Sequence, residues 1–211
     1  MRVLVIAPHP DDEVLGCGGT IKKYTNKGDE VYLCIVTRAY TPDWNQEFID
    51  NRKKEIKCAN NILGIKDTFF LDLPTVKLDT IGQKKLNDLI AGNVKKTEPE
   101  ILYIPFAKDT NKDHCLISEA SLIASRPKPD SSIKKVLFYS YEALSFIPNL
   151  YTDISDTLED KLKAMSCYKS ELKDYPHPRS LEAIKISAQK RGIESGLKAA
   201  ESFIIIREII K

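Results

Sequence analysis

The chain has 211 residues, 42% of them hydrophobic and 29% charged, with 32 Lys+Arg against 30 Asp+Glu and a formal net charge of +2. At roughly 150 residues per domain this is one domain, long enough to bury a sizeable core. The near balance of charge excludes a dedicated nucleic-acid binder, and no run approaches the ~18 apolar residues of a membrane span.

In chain order, Arg2–Ala7 is apolar after its first residue, as a strand covered on both faces should be. Residues 13–27 read as a helix stopped by Gly28, and 30–37 (EVYLCIVT) as a β-branched strand. Gln46–Leu63 reads as a helix with Ile49, Ile56 and Leu63 at seven-residue spacing and Gly64 as its stop. Residues 68–71 form a short strand, 79–96 a helix with Leu86, Leu89 and Ile90 on one face, and 100–105 (EILYIP) a further strand. A helix over 113–125, closed by Pro127 and Pro129, precedes a strand over 135–141 and an extended piece over 150–154. Two helices follow, 155–168 with Ser155 as N-cap and 180–193, before a β-branched strand over 202–210.

This alternation implies right-handed βαβ units and an α/β, single-domain, Rossmann-like fold: a mostly parallel sheet with helices on both faces. Such sheets bind ligands outside the carboxyl ends of their strands, here just after residues 7, 37, 71, 105 and 141. The five cysteines are odd in number, scattered, and form no CxxC pair. Neither a disulfide framework nor a thiolate zinc site is expected, and Cys34 and Cys58 read as small core hydrophobes. With no secretory signal at the N-terminus, the expectation is a cytoplasmic protein with reduced thiols.

Two loops carry chemistry. The first, residues 8–13 (PHPDDE), sets one imidazole and three carboxylates at a strand end. His9 and Asp12, three apart across the strand-to-helix turn, are ligand types that zinc takes in hydrolytic sites. Asp11 then points elsewhere, free to act as a base, and Gly16, Gly18 and Gly19 allow a backbone or ligand to approach closely. The alternative is an acidic helix N-terminus in which Asp12 and Glu13 answer the helix dipole. A dinucleotide site is disfavoured, because the glycines run GxGG and the carboxylates repel a pyrophosphate. The second loop follows EILYIP and holds Asp109, Asn111, Asp113 and His114. His114 can meet His9 and Asp12 at the same sheet edge, leaving coordination positions open, with Asp109 or Asp113 holding the far nitrogen of a ligand histidine. The alternative makes Asp113 a helix cap and His114 its decoration.

Together these residues resemble the PIG-L/LmbE-like family of zinc-dependent N-acetylglucosaminyl deacetylases. The first family motif stands as Pro8-His9-Pro10-Asp11-Asp12-Glu13, and the second, HxDH, as Asn111-Lys112-Asp113-His114. Gly18-Gly19-Thr20, the helix with Arg52 and Glu55 leading to Leu63-Gly64, and Asp153-Ile154-Ser155 extend the likeness over nearly the whole chain. The resemblance implies zinc held by His9, Asp12 and His114, and Asp11 as general base. It implies a small-molecule amino-sugar substrate, and a homo-oligomer, since family members are often assemblies. Ligand type alone would also admit Fe2+ or Co2+.

One departure concerns the oxyanion. Where the family often has His, this chain has Asn111, which donates a hydrogen bond but carries no positive charge. His177, in PHPRS, is the candidate to supply the missing cation; alternatively that segment is only a turn with Ser180 as helix N-cap. Arg52, which matches a substrate-binding arginine of the family, and Arg179 are candidates for gripping an anion or hydroxyl. Glu142 is a candidate for sugar hydroxyls, and Tyr40 and Trp44 for stacking on a sugar ring. Two further readings stay open: a zinc amidase acting on another acyl amide, and a metal- or sugar-binding relative without turnover.

Overall fold

Residues 3–7 are 0% exposed, so the first strand meets water on neither face. In the computed structural model, which describes residues 1–210, this strand, β1 (Arg2–Ala7), is the third of seven in the order β3-β2-β1-β4-β5-β7-β6. Its alternate side chains enter two separate cores. Val3, Val5 and Ala7 pack with α1 (Asp12–Asn26), α2 (Gln46–Leu63), α5 (Leu158–Cys167) and α6 (Leu181–Ser195). Leu4 and Ile6 pack with α3 (Gln83–Thr97) and α4 (Lys112–Ala124) on the other face. Each fully buried Leu, Ile or Val contributes about 1.5–3 kcal/mol, so the continuous apolar run serves two layers at once.

β1 pairs in parallel with β2 (Glu30–Arg38) on one side and β4 (Ile101–Pro105) on the other. β3 (Asp67–Pro74) and β5 (Lys135–Tyr139) extend the sheet outward, also in parallel. The chain therefore changes direction of growth between β1 and β4, and a crevice opens at the carboxyl ends of those two strands. Both loops singled out in the sequence, after residues 7 and 105, meet there. The mostly parallel Rossmann-like sheet is as expected. The tail strand, β7 (Ala200–Glu208), is antiparallel to β5 and to β6 (Leu150–Asp153). Two helices, α5 and α6, separate β6 from β7, and the chain then returns between β5 and β6, which leaves β6 as the edge strand.

Several boundaries move for local reasons. The helix expected over 79–96 divides into a 3-10 turn, Leu78–Thr80, and α3, because Ile81 between them is extended and Gly82 takes the N-cap position of α3. Ser155 does not cap α5: its hydroxyl and N–H donate to the Asp153 carboxylate, at 2.6 and 2.9 Å. Ser180 does cap α6, accepting from the Ala183 N–H at 3.1 Å. The glycines of α1 admit the chain's own side chains rather than a ligand. A Cβ on Gly16 would lie 2.2 Å from the Tyr139 ring, and one on Gly19 would lie 2.8 Å from Ile154. Among the described residues no helix is long and apolar enough to cross a membrane.

The cysteine expectation is corrected. Cys58 of α2 and Cys167 of α5 form a disulfide, with Cα atoms 5.8 Å apart across 109 residues of sequence. Packing of α5 on α2 creates the pair, which no local spacing could announce. Cys58 is exposed rather than core, whereas Cys34 and Cys17 are buried as small hydrophobes. Closing so long a loop restricts the unfolded chain, and reduction is expected to lower stability by about 2–4 kcal/mol. Urea unfolding with and without reductant checks this. The Cys58→Ser protein should unfold at the midpoint of the reduced wild type, and a midpoint unmoved by reductant would show that the link contributes nothing.

Candidate active site

The geometry begins at Asp11, where the chain turns from β1 into α1. Its backbone has φ 115°, a left-handed conformation that costs a non-glycine residue about 1–3 kcal/mol. The turn is held by its neighbours. The Asp11 carbonyl accepts from the N–H groups of Val14 and Leu15, and its own N–H donates to Glu13 Oε2 at 3.1 Å. Glu13 is completely buried, and its Oε1 accepts from the Tyr168 hydroxyl at 2.6 Å. Burial pushes the Glu13 carboxyl up to about 7, against the pull of the Tyr168 hydrogen bond. The sequence offered Glu13 only as a dipole partner for the helix; the structure makes it the brace of the turn.

This turn brings His9, Asp12 and His114 together. His9 Nδ1 lies 3.2 Å from Asp12 Oδ2, and His114 Nε2 lies 3.3 Å from both of those atoms. The three therefore form a small triangle of two imidazole nitrogens and one carboxylate oxygen, a donor set that fits a divalent cation with positions left open. Their outer atoms are held as well. His9 Nε2 is 3.0 Å from Asp113 Oδ2, and His114 Nδ1 is 3.1 Å from Asp109 Oδ2. Both carboxylates anticipated as supports act as such, each on a different ring, which fixes which nitrogen faces inward. Asp113 also accepts the Val76 N–H at 2.7 Å, from a residue with φ 59° in the loop after β3. Nothing in the sequence marked Val76.

Charges concentrate here. Desolvation opposes protonation of both rings, yet the facing carboxylates outweigh it: Asp113 and Asp12 push His9 up to about 9, and Asp12 and Asp109 push His114 up to about 10. Burial would raise Asp12, but the two imidazoles hold it far below the ordinary carboxylate range. Such a cluster binds positive charge, whether as protons or as a metal ion.

Asp11 behaves differently. It is 1% exposed, and its Oδ2 is buried without a hydrogen-bond partner. Burial and then the neighbouring Asp12 charge drive its carboxyl well above the usual range, offset in part by Arg179, whose Nε lies 3.9 Å away. A carboxyl so raised holds a proton more readily than an ordinary carboxylate, which suits a group that must accept and return one.

Two lobes open from this centre. One, of about 400 Å³, is walled by Trp44, Phe48 and Phe70 with Arg38, Arg52 and Glu171, and reaches His9 and Asp11. The other, of about 220 Å³, is polar and includes Asp12, Asp109, His114, Ser140, Tyr141 and Glu142. Asn111 and Arg179 line both. The Oδ1 of Asn111 caps α4 by accepting the Asp113 N–H at 2.9 Å, which leaves its amide nitrogen as the free donor. Tyr40 is not on either wall; its hydroxyl donates to the Asp72 carbonyl at 2.5 Å and ties down the loop that presents Trp44.

His177 is not brought to the site. It is exposed, lines neither lobe, and its Nδ1 accepts the Arg179 N–H at 3.1 Å. The cation that reaches Asp11 is Arg179, two residues on, because the Tyr175–Arg179 turn directs the arginine inward and the imidazole outward. Arg52 is 9% exposed and is pinned by Glu171, by the Pro10 carbonyl and by the Phe48 ring, 4.9 Å from its guanidinium carbon. Glu171 also accepts from Arg179 at 2.8 Å. The sequence carried no sign of Glu171, which stands 119 residues from Arg52.

Comparison with known proteins places the chain in a family. The family model described as GlcNAc-PI de-N-acetylase, PIG-L, matches residues 4–125. The chain is similar to diacetylchitobiose deacetylase of Thermococcus kodakarensis, 33% identical over 81% of this chain and 70% of the relative. It is also similar to a probable N-acetyl-alpha-D-glucosaminyl L-malate deacetylase 2 of Bacillus anthracis, 28% identical over 93% of this chain and 88% of the relative. Among solved structures, N,N'-diacetylchitobiose deacetylase from Pyrococcus horikoshii superposes with a TM-score of 0.81 at 25% identity, covering 98% of this chain and 84% of that one. With more than half of its residues matched to the family model, the chain belongs to the PIG-L family of amide-hydrolysing N-deacetylases.

Proposed function

We propose that this protein removes the N-acetyl group from an N-acetylglucosamine-type sugar, with zinc held by His9, Asp12 and His114 and with Asp11 as general base. The observation that carries the reading is the juxtaposition of the His-Asp-His triangle with a buried, unpartnered Asp11 oxygen. A bound divalent ion supplies Lewis acidity and lowers the pKa of an attacking water. The chain's own residues do the rest. Asp11 takes the proton of that water as it attacks the amide carbonyl, and returns it to the amine as the C–N bond breaks. The products are acetate and the free amino sugar.

Arg179 and Asn111, at the junction of the two lobes, are the donors placed to receive the negative charge that develops on the carbonyl oxygen; Glu171 engages Arg179 through Nη1, and the other N–H groups of the guanidinium serve the oxyanion. Arg179 thus takes the role for which His177 was the candidate. Ser140, Tyr141 and Glu142 offer partners for sugar hydroxyls, and Trp44 and Phe48 offer faces for the apolar side of a ring. In this reading the protein works in the cytoplasm. The Cys58–Cys167 bond bears on that placement, since the cytosol keeps most thiols reduced. A thiol count on protein trapped with an alkylating agent at lysis checks it.

The experiment is amine release from N-acetylglucosamine, its methyl glycoside and N,N'-diacetylchitobiose, by protein as isolated, after chelation and after zinc is restored. Release that is lost on chelation and regained with zinc is the expected outcome. No release from any of them by zinc-loaded protein overturns the reading.

A further inference from the structure

Every guanidinium on the walls of the two lobes already faces a carboxylate of the chain. Arg52 and Arg179 both bind Glu171, one on each oxygen, and Arg38 lies 3.8 Å from Asp72. The remaining cation, Lys53, is exposed at the rim with Asp50 at 3.9 Å. The Arg52–Glu171–Arg179 bridge is built rather than incidental. Arg52 and Glu171 have side chains only 11% and 21% exposed, and Arg52 is further fixed by the Pro10 carbonyl and the Phe48 ring. Glu55, beside Arg52, holds the strap that carries Glu171 by accepting both the N–H and the hydroxyl of Ser170, at 2.9 and 2.6 Å. The polar lobe adds Asp12, Asp109 and Glu142, with Arg179 as its one guanidinium.

We infer that Glu171 is a specificity-determining residue: by occupying Arg52 and Arg179 it reserves the site for an uncharged acylated sugar and rejects one carrying a carboxylate or phosphate. The inference rests on the deacetylase reading and narrows it to a substrate class. A guanidinium pair is the natural receptor for a bidentate anion. With a carboxylate of the protein lodged between them, an incoming anion must displace Glu171 or meet its charge, and like-charge juxtaposition is how sites exclude wrong partners. A neutral sugar meets no such barrier, because hydroxyls donate to carboxylates.

The test compares wild type with Glu171→Gln, which keeps the shape and removes the charge. Amine release is measured on N-acetylglucosamine methyl glycoside and on N-acetylglucosamine 1-phosphate. The wild type is expected to favour the neutral sugar by tenfold or more in kcat/KM. The variant should shrink that ratio at least tenfold, chiefly through a lower KM for the phosphorylated sugar. Binding of inorganic phosphate to both zinc-loaded proteins, by calorimetry, gives a readout independent of turnover. The variant should bind at least tenfold tighter, and any affinity for the metal is common to both proteins and cancels. Phosphate bound equally by the two overturns the inference even if both are active deacetylases. Tighter phosphate binding by the variant with no amine release from either upholds the role of Glu171 and overturns the deacetylase reading instead. Should the variant not fold, the wild type decides alone: equal turnover of the two sugars overturns the inference.

Discussion

The Asp11→Asn protein is expected to keep its metal and lose about 10²–10⁴-fold in kcat, the range that general acid–base catalysis contributes. Asparagine preserves the size of the side chain and the backbone bonds that hold the turn at φ 115°, so the triangle of His9, Asp12 and His114 should be undisturbed. Only the proton acceptor is lost. A second measurement separates catalysis from structure. Asp11 is a buried carboxyl whose ionisation is opposed by burial and by Asp12, so replacing it with a neutral amide should leave the thermal midpoint no lower than that of the wild type. A loss of kcat accompanied by lost metal or a lower midpoint would make Asp11 a structural residue. A kcat within tenfold of the wild type would remove it from the mechanism.

Removing the metal should have the second large effect, on activity and on the pH dependence of stability together. In metal-free protein the rings of His9 and His114 stay protonated up to about 9 and about 10, whereas an unfolded histidine titrates near 6.5. Between those values the folded state holds more protons than the unfolded one, so stability falls as pH rises. The stabilisation is fully present below about 6.5 and is lost as pH passes through 9 to 10, by an amount on the order of a few kcal/mol. In the proposed metal-loaded protein the same nitrogens would hold the ion and would have no proton to release. The thermal midpoints of chelated and zinc-loaded protein should therefore separate progressively from pH 6.5 upward. Parallel curves would mean that the ion does not sit on these rings. His114→Ala, which removes one corner of the triangle, should lose both stoichiometric zinc and amine release, and should abolish the separation.

These expectations trace to two levels of information. The strand over residues 2–7, the helix Gln46–Leu63 with its Gly64 stop, and the Ser180 cap were legible because each depends on neighbours a few residues away. So was the first loop, where His9, Asp11 and Asp12 are contiguous and a strand end delivers them to the crevice. His114 and Asp109 were legible as candidates because the loop after residue 105, like the first loop, lies at the carboxyl ends of the strands; only the structure pairs β4 with β1.

What the sequence by itself determined, then, is the parallel core of the sheet, its carboxyl edge and the residue types there that could hold a metal, since periodicity and turn chemistry are local properties. The tertiary structure decided the rest. Which way the segment before α6 faces chose Arg179 over His177 for the place beside Asp11. The packing of α5 on α2 joined Cys58 to Cys167, and the strap beyond it set Glu171 between Arg52 and Arg179. Each of these is a contact between side chains whose separation in sequence, or whose direction out of a turn, carries no periodic signal. Only the balance of burial and charge in the folded chain determines it.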